Sequence, residues 1–318
     1  MNISSPQQQG VSLSVSGLRK SYNGSEVLKG IDLDVAAAEI IVIMGPSGSG
    51  KSVFLRQIIG LEEPGAGEVV IEGQPIESPD ITTRYRVAMV FQSGALLTSM
   101  TVGESVGFYL AQHRLKTPGE IAEIVARDLE QVGLKGAEDR MPDEPSGGTR
   151  RRVAIARALA MEPQLILYDE PTGGLGPVSS VNVAEDIARL NRRIGATSVV
   201  VSRDCKLAFG IAHRIVMLDE GCIVAIGTPE EMKASPDARV QQFLNAKFDL
   251  TQASSVHALP NVSIPGHDGK EPPAATPPGG TEPLPTVPDD EGRHFGEAPA
   301  GHLHLAIPAT AAKGRKCS

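Results

Sequence analysis

The sequence has 318 residues, which is enough for one large domain or two small ones with a substantial core. Its formal net charge of -8 makes nucleic acid an unfavourable electrostatic partner, and we expect no nucleic-acid binding. No apolar stretch reaches the roughly 20 residues of a membrane-spanning helix, and residues 1–10 contain no signal-peptide core. The cysteines have neither paired nor metal-ligand spacing, so we expect reduced thiols in a cytosolic protein at Cys205, Cys222 and Cys317.

Composition divides the chain into three segments. Residues 1–10 are polar and Gln-rich, and we expect them to be flexible. Residues 11–247 alternate strand-like and helix-like segments, a pattern typical of an α/β fold. Residues 248–318 are rich in proline, glycine, alanine and threonine, and because such a segment buries little apolar surface we expect a disordered tail. Five of the seven histidines lie there, where a solvated tail is favoured over a metal site.

The predicted elements follow one another along residues 11–247. Hydrophobic runs predict strands near 11–17, 31–35, 40–44, 68–72, 86–91, 165–168 and 199–201. Helices are predicted over 51–60, in an insert at about 100–135, after Ser146 and over 238–246. Within the insert, apolar residues recur at helical spacing from Gly119 to Val132. The basic run 150–152 is interpreted as part of the helix that follows Ser146.

A glycine-rich segment joins the strand at 40–44 to the helix at 51–60. It fits the pattern G-x-x-x-x-G-K-[ST] and reads Gly45-Pro46-Ser47-Gly48-Ser49-Gly50-Lys51-Ser52. The backbone N–H groups of such a turn, and the positive end of the helix dipole, converge on a point that suits a phosphate. Lys51 is expected to reach the β and γ oxygens, and the Ser52 hydroxyl to bind Mg²⁺. A chance match is the alternative, but the strand–loop–helix context favours ATP or GTP binding.

Two acidic residues directly follow the strand at 165–168. A carboxylate at the C-terminal edge of a parallel strand beside a phosphate loop can hold Mg²⁺ through water, and Asp169 has that position. The next carboxylate, Glu170, can polarise the attacking water. The alternative is a pair of surface acids at a strand end, which the preceding phosphate loop makes the weaker interpretation.

A second anion site is predicted at the start of the next helix. Ser146 can act as its N-cap, and Gly147 and Gly148 leave backbone N–H groups bare at the helix N-terminus. Alone, this pattern is also that of a plain helix start. Together with the phosphate loop it suggests a site assembled between two protomers, with each nucleotide between the Lys51 loop of one and the Ser146 turn of the other.

These segments together resemble the ATP-binding subunits of ABC transporters, over residues 11 to about 247. The resemblance implies a P-loop NTPase fold of the ABC type, in which a RecA-like α/β core carries an antiparallel β subdomain and a helical subdomain at about 93–155. It implies ATP and Mg²⁺ as cofactors, and ATP hydrolysis coupled to transport as the activity. A role in DNA repair or translation is disfavoured, because such relatives carry coiled-coil insertions or tandem domains that do not fit this chain.

The resemblance also implies roles for individual residues. Tyr22, after the first strand, matches the aromatic residue that stacks on adenine. Gln92, in Val90-Phe91-Gln92-Ser93-Gly94, matches a glutamine that takes part in Mg²⁺ binding and catalysis and couples the nucleotide to the membrane partner. The segment 146–148 matches the signature turn. Asp169 matches the Mg²⁺-linked acid, and Glu170 matches the catalytic base.

A narrower resemblance concerns residues 91–102, together with residues 50–53 and 235–244. These segments are similar to ATPases of the Mla/MCE phospholipid-transport type. That similarity implies lipid transport in a diderm envelope, from a peripheral position on the cytoplasmic face of the inner membrane. The implied partners are a transmembrane permease, a second ATPase subunit that is expected to be an identical copy, and an MCE-type substrate-binding protein.

Several positions depart from the family pattern. Pro145 and Thr149 flank the signature turn where the family has Leu and a Gln-like or Met-like residue. Gly176 replaces an aspartate that normally communicates across the dimer, and Arg203 replaces the switch histidine that contacts the γ-phosphate. Arg203 can contact phosphate but cannot reproduce the histidine geometry, and His213 lies too far along to replace it. We therefore keep two hypotheses, a transport ATPase and an ATP-binding regulatory or structural subunit with impaired hydrolysis.

Overall fold

Two β-sheets run through the part of the chain that the structure, a computed structural model, describes, namely residues 10–76, 84–141 and 146–253. In chain order the strands are β1 Leu13–Tyr22, β2 Ser25–Val35, β3 Ile40–Met44, β4 Ala66–Ile71, β5 Gln74–Pro75, β6 Val87–Val90, β7 Leu165–Asp169, β8 Thr197–Val201, β9 Arg214–Asp219 and β10 Cys222–Gly227. The helices are α1 Lys51–Ile58, α2 Val102–Gln112, α3 Pro118–Gln131, α4 Gly147–Ala160, α5 Pro177–Ile194, α6 Cys205–Ile211, α7 Pro229–Lys233 and α8 Ala238–Ala253.

The smaller sheet is antiparallel, with strand order β2-β1-β4-β5. Its first two strands form a hairpin in which Tyr22 pairs with Ser25 across Asn23 and Gly24. Both turn residues have positive φ, 50° and 79°, as a two-residue Asn-Gly hairpin turn favours. The strands predicted near 11–17 and 31–35 therefore both extend to this turn.

The larger sheet has strand order β10-β9-β3-β8-β7-β6, and every neighbouring pair except β9 and β10 is parallel. Strand β3 is buried at every residue. Ile40 and Val42 belong to the hydrophobic cluster shared with α2 to α6, whereas Ile41 and Ile43 belong to the cluster shared with α1 and the antiparallel sheet. Because both faces are covered, this strand is a continuous apolar run.

The predicted helical insert consists of α2 and α3, followed by α4. Capping boxes start the first two helices, in which the Thr101 and Thr117 side chains accept from the N–H groups of Glu104 and Glu120. Helix α4 starts at its N-cap, Ser146, and continues to Ala160, beyond the predicted subdomain limit at 155. Its C-terminal half belongs to the same hydrophobic cluster as β3 and β7, so α4 connects the insert to the main sheet.

The structure corrects two predicted boundaries. Helix α8 continues to Ala253, past its predicted end at 246 and past the predicted start of the tail at 248, since no proline or glycine interrupts residues 238–253. Gly10, assigned to the flexible N-terminus, is buried and donates its N–H to the Gly195 carbonyl at 2.8 Å. Residues 1–9, Pro145 and the tail from 254 lie outside the described ranges. No helix within those ranges has the length and apolar content needed to cross a membrane.

Candidate functional site

The phosphate-loop segment connects the C-terminus of β3 to the N-terminus of α1. Two of its glycines are required by their surroundings. Gly45 has φ 153°, and a Cβ there would lie 2.0 Å from the Leu218 carbonyl oxygen. Gly50, the N-cap of α1, has φ 103°, and a Cβ there would lie 2.7 Å from Leu28 Cδ2. The loop therefore passes closely between β9 and β2, and this fixes the direction of its backbone N–H groups.

Lys51 is the first residue of α1, and its side chain is buried, with 6% exposure. Its Nζ donates to the carbonyl oxygens of Gly45 at 2.9 Å and Pro46 at 2.7 Å. Burial lowers the pKa of the Lys51 ammonium, and the nearby Glu170 carboxylate opposes that shift. A third, longer hydrogen bond runs to Ser49 Oγ at 3.4 Å. A buried cation whose partners are uncharged oxygens is a site that an anion would stabilise further.

Ser52 lies beside the end of β7. Its Oγ donates to Asp169 Oδ1 at 3.0 Å, so the phosphate loop and the predicted Mg²⁺-linked acid meet across the sheet edge. Hydroxyl and carboxylate oxygens are hard donors that suit Mg²⁺, which usually completes its coordination with water and substrate phosphates. Among the described residues, no group of three or more His, Cys, Asp or Glu side chains could hold a metal ion. The donor set therefore fits Mg²⁺ brought in with a nucleotide and does not form a dedicated metal cage.

Glu170 follows the strand in a left-handed conformation, with φ 45°. Its N–H donates to the Val201 carbonyl at 2.9 Å, and its side chain is largely buried. Arg203 donates to this carboxylate twice, from its backbone N–H at 3.2 Å and from Nε at 3.1 Å. A guanidinium nitrogen of Arg203 also donates to Ser47 Oγ at 3.0 Å. Arg203 therefore connects the predicted catalytic base to the phosphate loop.

A cleft of about 400 Å³ opens where these groups meet. Its lining contains many of the residues that the sequence predicts for nucleotide binding and catalysis, namely Ser47, Gly48, Gly50, Lys51, Ser52, Gln92, Glu170 and Arg203. Val27 and Val53 add apolar surface, and neither was predicted to line a nucleotide site. The cleft combines two cations, a carboxylate and the glycine-rich main chain of the phosphate loop, a composition that suits phosphate transfer.

Several predicted site residues do not line this cleft, namely Gly45, Pro46, Ser49, Asp169, Tyr22 and the turn 146–148. The first four hydrogen-bond to Lys51 or Ser52, which do line it. The Tyr22 hydroxyl donates to Glu62 Oε2, its ring is 38% exposed, and Lys20 Nζ lies 5.5 Å from the ring centroid. That hydrogen bond raises the pKa of the Tyr22 hydroxyl. The Ser146 turn begins α4, where Ser146 Oγ accepts from the Thr149 N–H at 3.4 Å. Adenine stacking by Tyr22 and phosphate binding by residues 146–148 stay predictions.

The sequence did not single out one buried charge near the cleft. Arg151, in α4, is 5% exposed and donates to the carbonyl oxygens of Phe91, Gln92 and Gly173. Its sequence signal was only a basic run at a helix start. The partners lie about 60 and 22 residues away in the chain, so local patterns do not reveal the contact.

Comparison with known proteins decides the family. The family model described as "ABC transporter" matches residues 28–173. The intermembrane phospholipid transport system ATP-binding protein MlaF of Escherichia coli K12 is 41% identical over 227 residues, which cover 70% of this chain and 84% of MlaF. This chain belongs to the ABC transporter family. As an ABC ATPase, it couples ATP hydrolysis to transport.

Other relatives support the same family and fold. A protein named as the probable ribonucleotide transport ATP-binding protein mkl of Mycobacterium leprae is 38% identical over 242 residues, covering 75% of this ABC ATPase and 70% of mkl. A solved dimer of the ATP-binding cassette MJ0796, bound to ADP and Pi after hydrolysis, matches with TM-score 0.63 and 31% identity. That match covers 68% of this chain and 98% of MJ0796. The predicted ABC-type α/β fold is confirmed.

Proposed function

We propose that this ABC ATPase powers the transport of phospholipids or other hydrophobic molecules across a cell envelope. The ATPase part is carried by one observation, the 3.0 Å hydrogen bond from Ser52 Oγ to Asp169, which brings the phosphate loop and the strand-end acids into one cleft. The lipid part is supported by the similarity of residues 91–102 to Mla-type ATPases and by the 41% identity with MlaF. Another relative is named for ribonucleotide transport, so similarity alone does not identify the transported molecule. The cargo therefore needs a direct test.

The chain's own groups have distinct roles in the proposed reaction. Lys51 and the backbone N–H groups around Gly48 bind the β and γ phosphate oxygens. Ser52, Asp169 and Gln92 would hold Mg²⁺, which when bound would neutralise charge on the phosphate oxygens. Glu170 orients the attacking water and accepts its proton, because its carboxylate lines the cleft at the end of β7.

The proposed assembly contains two ATPase copies, a transmembrane permease and an MCE-type substrate-binding protein, at the cytoplasmic face of the inner membrane. Within one chain the Ser146 turn does not line the described cleft, whereas its exposed N-terminal position leaves it accessible to a second copy. The segment that carries Gln92 lines the cleft at that residue and connects β6 to α2 of the helical insert. The permease is therefore proposed to respond to nucleotide through this segment.

Co-purification tests the proposed cargo. The full chain is expressed in its native membrane, isolated with its bound subunits, and the co-purified small molecules are identified by mass spectrometry. We expect phospholipid, a permease, and lipid movement in vesicles that stops in the Lys51→Met variant. Enrichment of ribonucleotides with no lipid transport would contradict the lipid assignment and leave the ATPase assignment intact.

The alternative function is an ATP-binding regulatory or structural subunit with impaired hydrolysis, and the Arg203–Glu170 contact favours it. A carboxylate that accepts two hydrogen bonds from Arg203 has fewer lone pairs available for water. Gly176, the N-cap of α5, has open space where a side chain would start, so an aspartate fits there.

Turnover of the native chain and of an Arg203→His, Gly176→Asp double variant separates the two functions. Restoring one positioned transition-state contact raises kcat by about 10²–10³-fold, and we expect an increase in that range. Equal and rapid turnover in both proteins would eliminate the impaired-hydrolysis alternative. The single variants then show which position accounts for any difference.

A further inference from the structure

Helix α4 binds the Gln92 segment through two arginines. Arg151 donates from one terminal nitrogen to the carbonyl oxygens of Phe91, at 2.8 Å, and Gln92. Arg157 donates to the carbonyl oxygens of Ala95 at 2.6 Å and Gly94 at 3.0 Å. The two arginines are six residues apart, about 9 Å along the helix axis. Both ends of segment 91–95 are thus attached to one rigid helix through main-chain oxygens, which leaves the Gln92 side chain to line the cleft.

Arg151 also binds the loop that follows the predicted catalytic base. Its other terminal nitrogen donates to the Gly173 carbonyl at 3.2 Å. The Gly173 N–H in turn donates to the Glu170 carbonyl at 2.9 Å. A Cβ at Gly173 would lie 3.2 Å from Gln92 Nε2, so the two loops touch at this glycine. One guanidinium therefore joins three pieces of the site that are far apart in sequence.

The contact depends on the shape of arginine. A planar guanidinium presents donors in fixed, diverging directions, so it can serve acceptors on two loops at once. A lysine ammonium is a compact charge without that geometry, and a glutamine amide has only two N–H donors. Arg151 is also buried, although its Nε has no hydrogen-bond partner among the described residues. Burying a cation costs free energy, and the hydrogen bonds from the two terminal nitrogens of Arg151 to main-chain carbonyls offset that cost.

We propose that Arg151 is a positioning residue that makes the Gln92 segment, the Glu170–Gly173 loop and helix α4 move as one unit. The inference rests on the proposed function, in which the Ser146 end of α4 contacts the nucleotide bound by a second copy. A displacement of α4 caused by contact at Ser146 would then be transmitted to Gln92 and Glu170. The transmitting contacts are the hydrogen bonds of Arg151 and the one between Gly173 and Glu170. Arg151 itself does not touch substrate in this arrangement.

Amide hydrogen exchange of the full-length chain tests this unit without requiring turnover. The reporting amides are Gly94, Gly173 and Leu175, which donate to carbonyls within the two loops. In the Arg151→Gln variant without nucleotide, we expect exchange to rise about tenfold in both loops while β3 and β7 keep native protection. Arg157→Gln is expected to affect only the segment 91–95. The exposed neighbour Arg150→Gln serves as the matched control and is expected to exchange like the native chain.

Kinetics supply the second measurement. Arg151→Gln is expected to lower kcat by about 10–100-fold with KM for ATP changed less than about threefold, because binding groups stay in place while the loops lose alignment. Arg151→Lys is expected to recover part of the lost kcat, because it keeps the positive charge. If Arg151→Gln does not fold, the same measurements are made on Arg151→Lys. Unchanged exchange in either loop, or a uniform rise across β3 and β7, would overturn the proposal. Absence of Mg·ATP binding in the native chain would instead refute the proposed function. The two failures are distinguishable, because the exchange experiment is done without nucleotide and does not depend on ATP binding.

Discussion

At the scale of single residues, the cleft places one carboxylate between two cations. Glu170 accepts from Arg203, and its charge opposes the lowering of the Lys51 pKa that burial causes, whereas the Arg203 charge adds to that lowering. Lys51 donates to the carbonyls of its own loop. Entry of a polyphosphate would give both cations a stronger partner and release Glu170 toward water.

Lys51 is therefore expected to be indispensable. Lys51→Met removes the buried ammonium and is expected to lower kcat/KM for ATP by at least about 100-fold, without loss of the fold. Steady-state ATPase assays and circular dichroism measure these two properties. Lys135→Met is the control, because this lysine is 77% exposed and pairs with Glu130 on the surface. Turnover within about threefold of native in Lys51→Met would contradict the assignment.

The sequence predicted the site best where the chemistry is local. The loop from Gly45 to Ser52 and the two acids at the end of β7 are contiguous patterns. The structure brings them together through the Ser52–Asp169 hydrogen bond and through the cleft that Lys51 and Glu170 both line. Arg151 was missed because its acceptors are main-chain carbonyls, which carry no sequence signature. The sequence identified Arg203 as the replacement for the switch histidine, able to contact phosphate, but its pairing with Glu170 depends on how β7 and β8 end side by side.

At the scale of secondary-structure elements, the phosphate loop depends on glycine for two different reasons. Gly45 has positive φ, and a Cβ at this position would lie only 2.0 Å from the Leu218 carbonyl oxygen. Gly48 has φ 83°, with open space around the same position. Side-chain crowding and backbone strain can therefore be separated within one loop.

Alanine substitutions at these two glycines are expected to differ in stability. Gly48→Ala incurs only the left-handed backbone penalty, about 1–2 kcal/mol. Gly45→Ala must also displace β9 or the loop, and we expect a loss of more than about 3 kcal/mol. Urea unfolding followed by circular dichroism measures both. Equal losses would show that the contact with Leu218 does not limit the loop.

The start of β3 is held by a charge pair that should make stability depend on pH. Burial raises the pKa of Glu39, but hydrogen bonds from Arg214, at 2.6 and 2.9 Å, and from the Ala36 N–H outweigh it and lower the pKa below its ordinary value of 4.5. A lowered folded pKa means that the unfolded chain binds protons more readily. The stabilisation is thus present above pH 4.5 and is lost as pH falls through the folded value.

Glu39→Gln measures this contribution. At pH 7 we expect a loss of about 1–3 kcal/mol, since Arg214 keeps a partly buried charge without its partner. The difference from native is expected to shrink below pH 4.5, in urea unfolding series at several pH values. Glu26→Gln, which breaks an exposed pair with Arg19, is the control and should change stability by less than about 1 kcal/mol at every pH. A pH-independent difference would contradict the assignment.

The fold was predictable where hydrophobic periodicity is strong. Strand β3, helix α1 and the insert helix α3 were predicted from their apolar spacing. Helix α5 was not predicted because it begins after the glycine-rich loop 173–176, whose pattern indicates a turn. The β9–β10 hairpin was not predicted either, and its pairing depends on β9 adding to β3 from far along the chain.

At the scale of the whole molecule, the site within one chain is half of the proposed enzyme. The cleft is proposed to bind phosphate through the Lys51 loop, while the exposed N-terminus of α4 presents the Ser146 turn, which does not line the cleft. A helix N-terminus with bare N–H groups favours a negative charge, and the γ-phosphate on a second copy supplies one. Two chains related by a two-fold axis would form two complete sites, each with the Lys51 loop of one chain and the Ser146 turn of the other.

Association of the chain is therefore expected to require Mg·ATP and intact Ser146. Glu170→Gln removes the base, so nucleotide persists, and light scattering after gel filtration should show a dimer with Mg·ATP and a monomer without it. Adding Ser146→Arg should abolish that dimer, because a long cation replaces the small N-cap where the second copy's phosphate and loop approach. Thr117→Arg is the matched control, since Thr117 is also an exposed helix N-cap but starts α3. A dimer that forms equally without nucleotide, or survives Ser146→Arg, would mean that the copies meet through another surface.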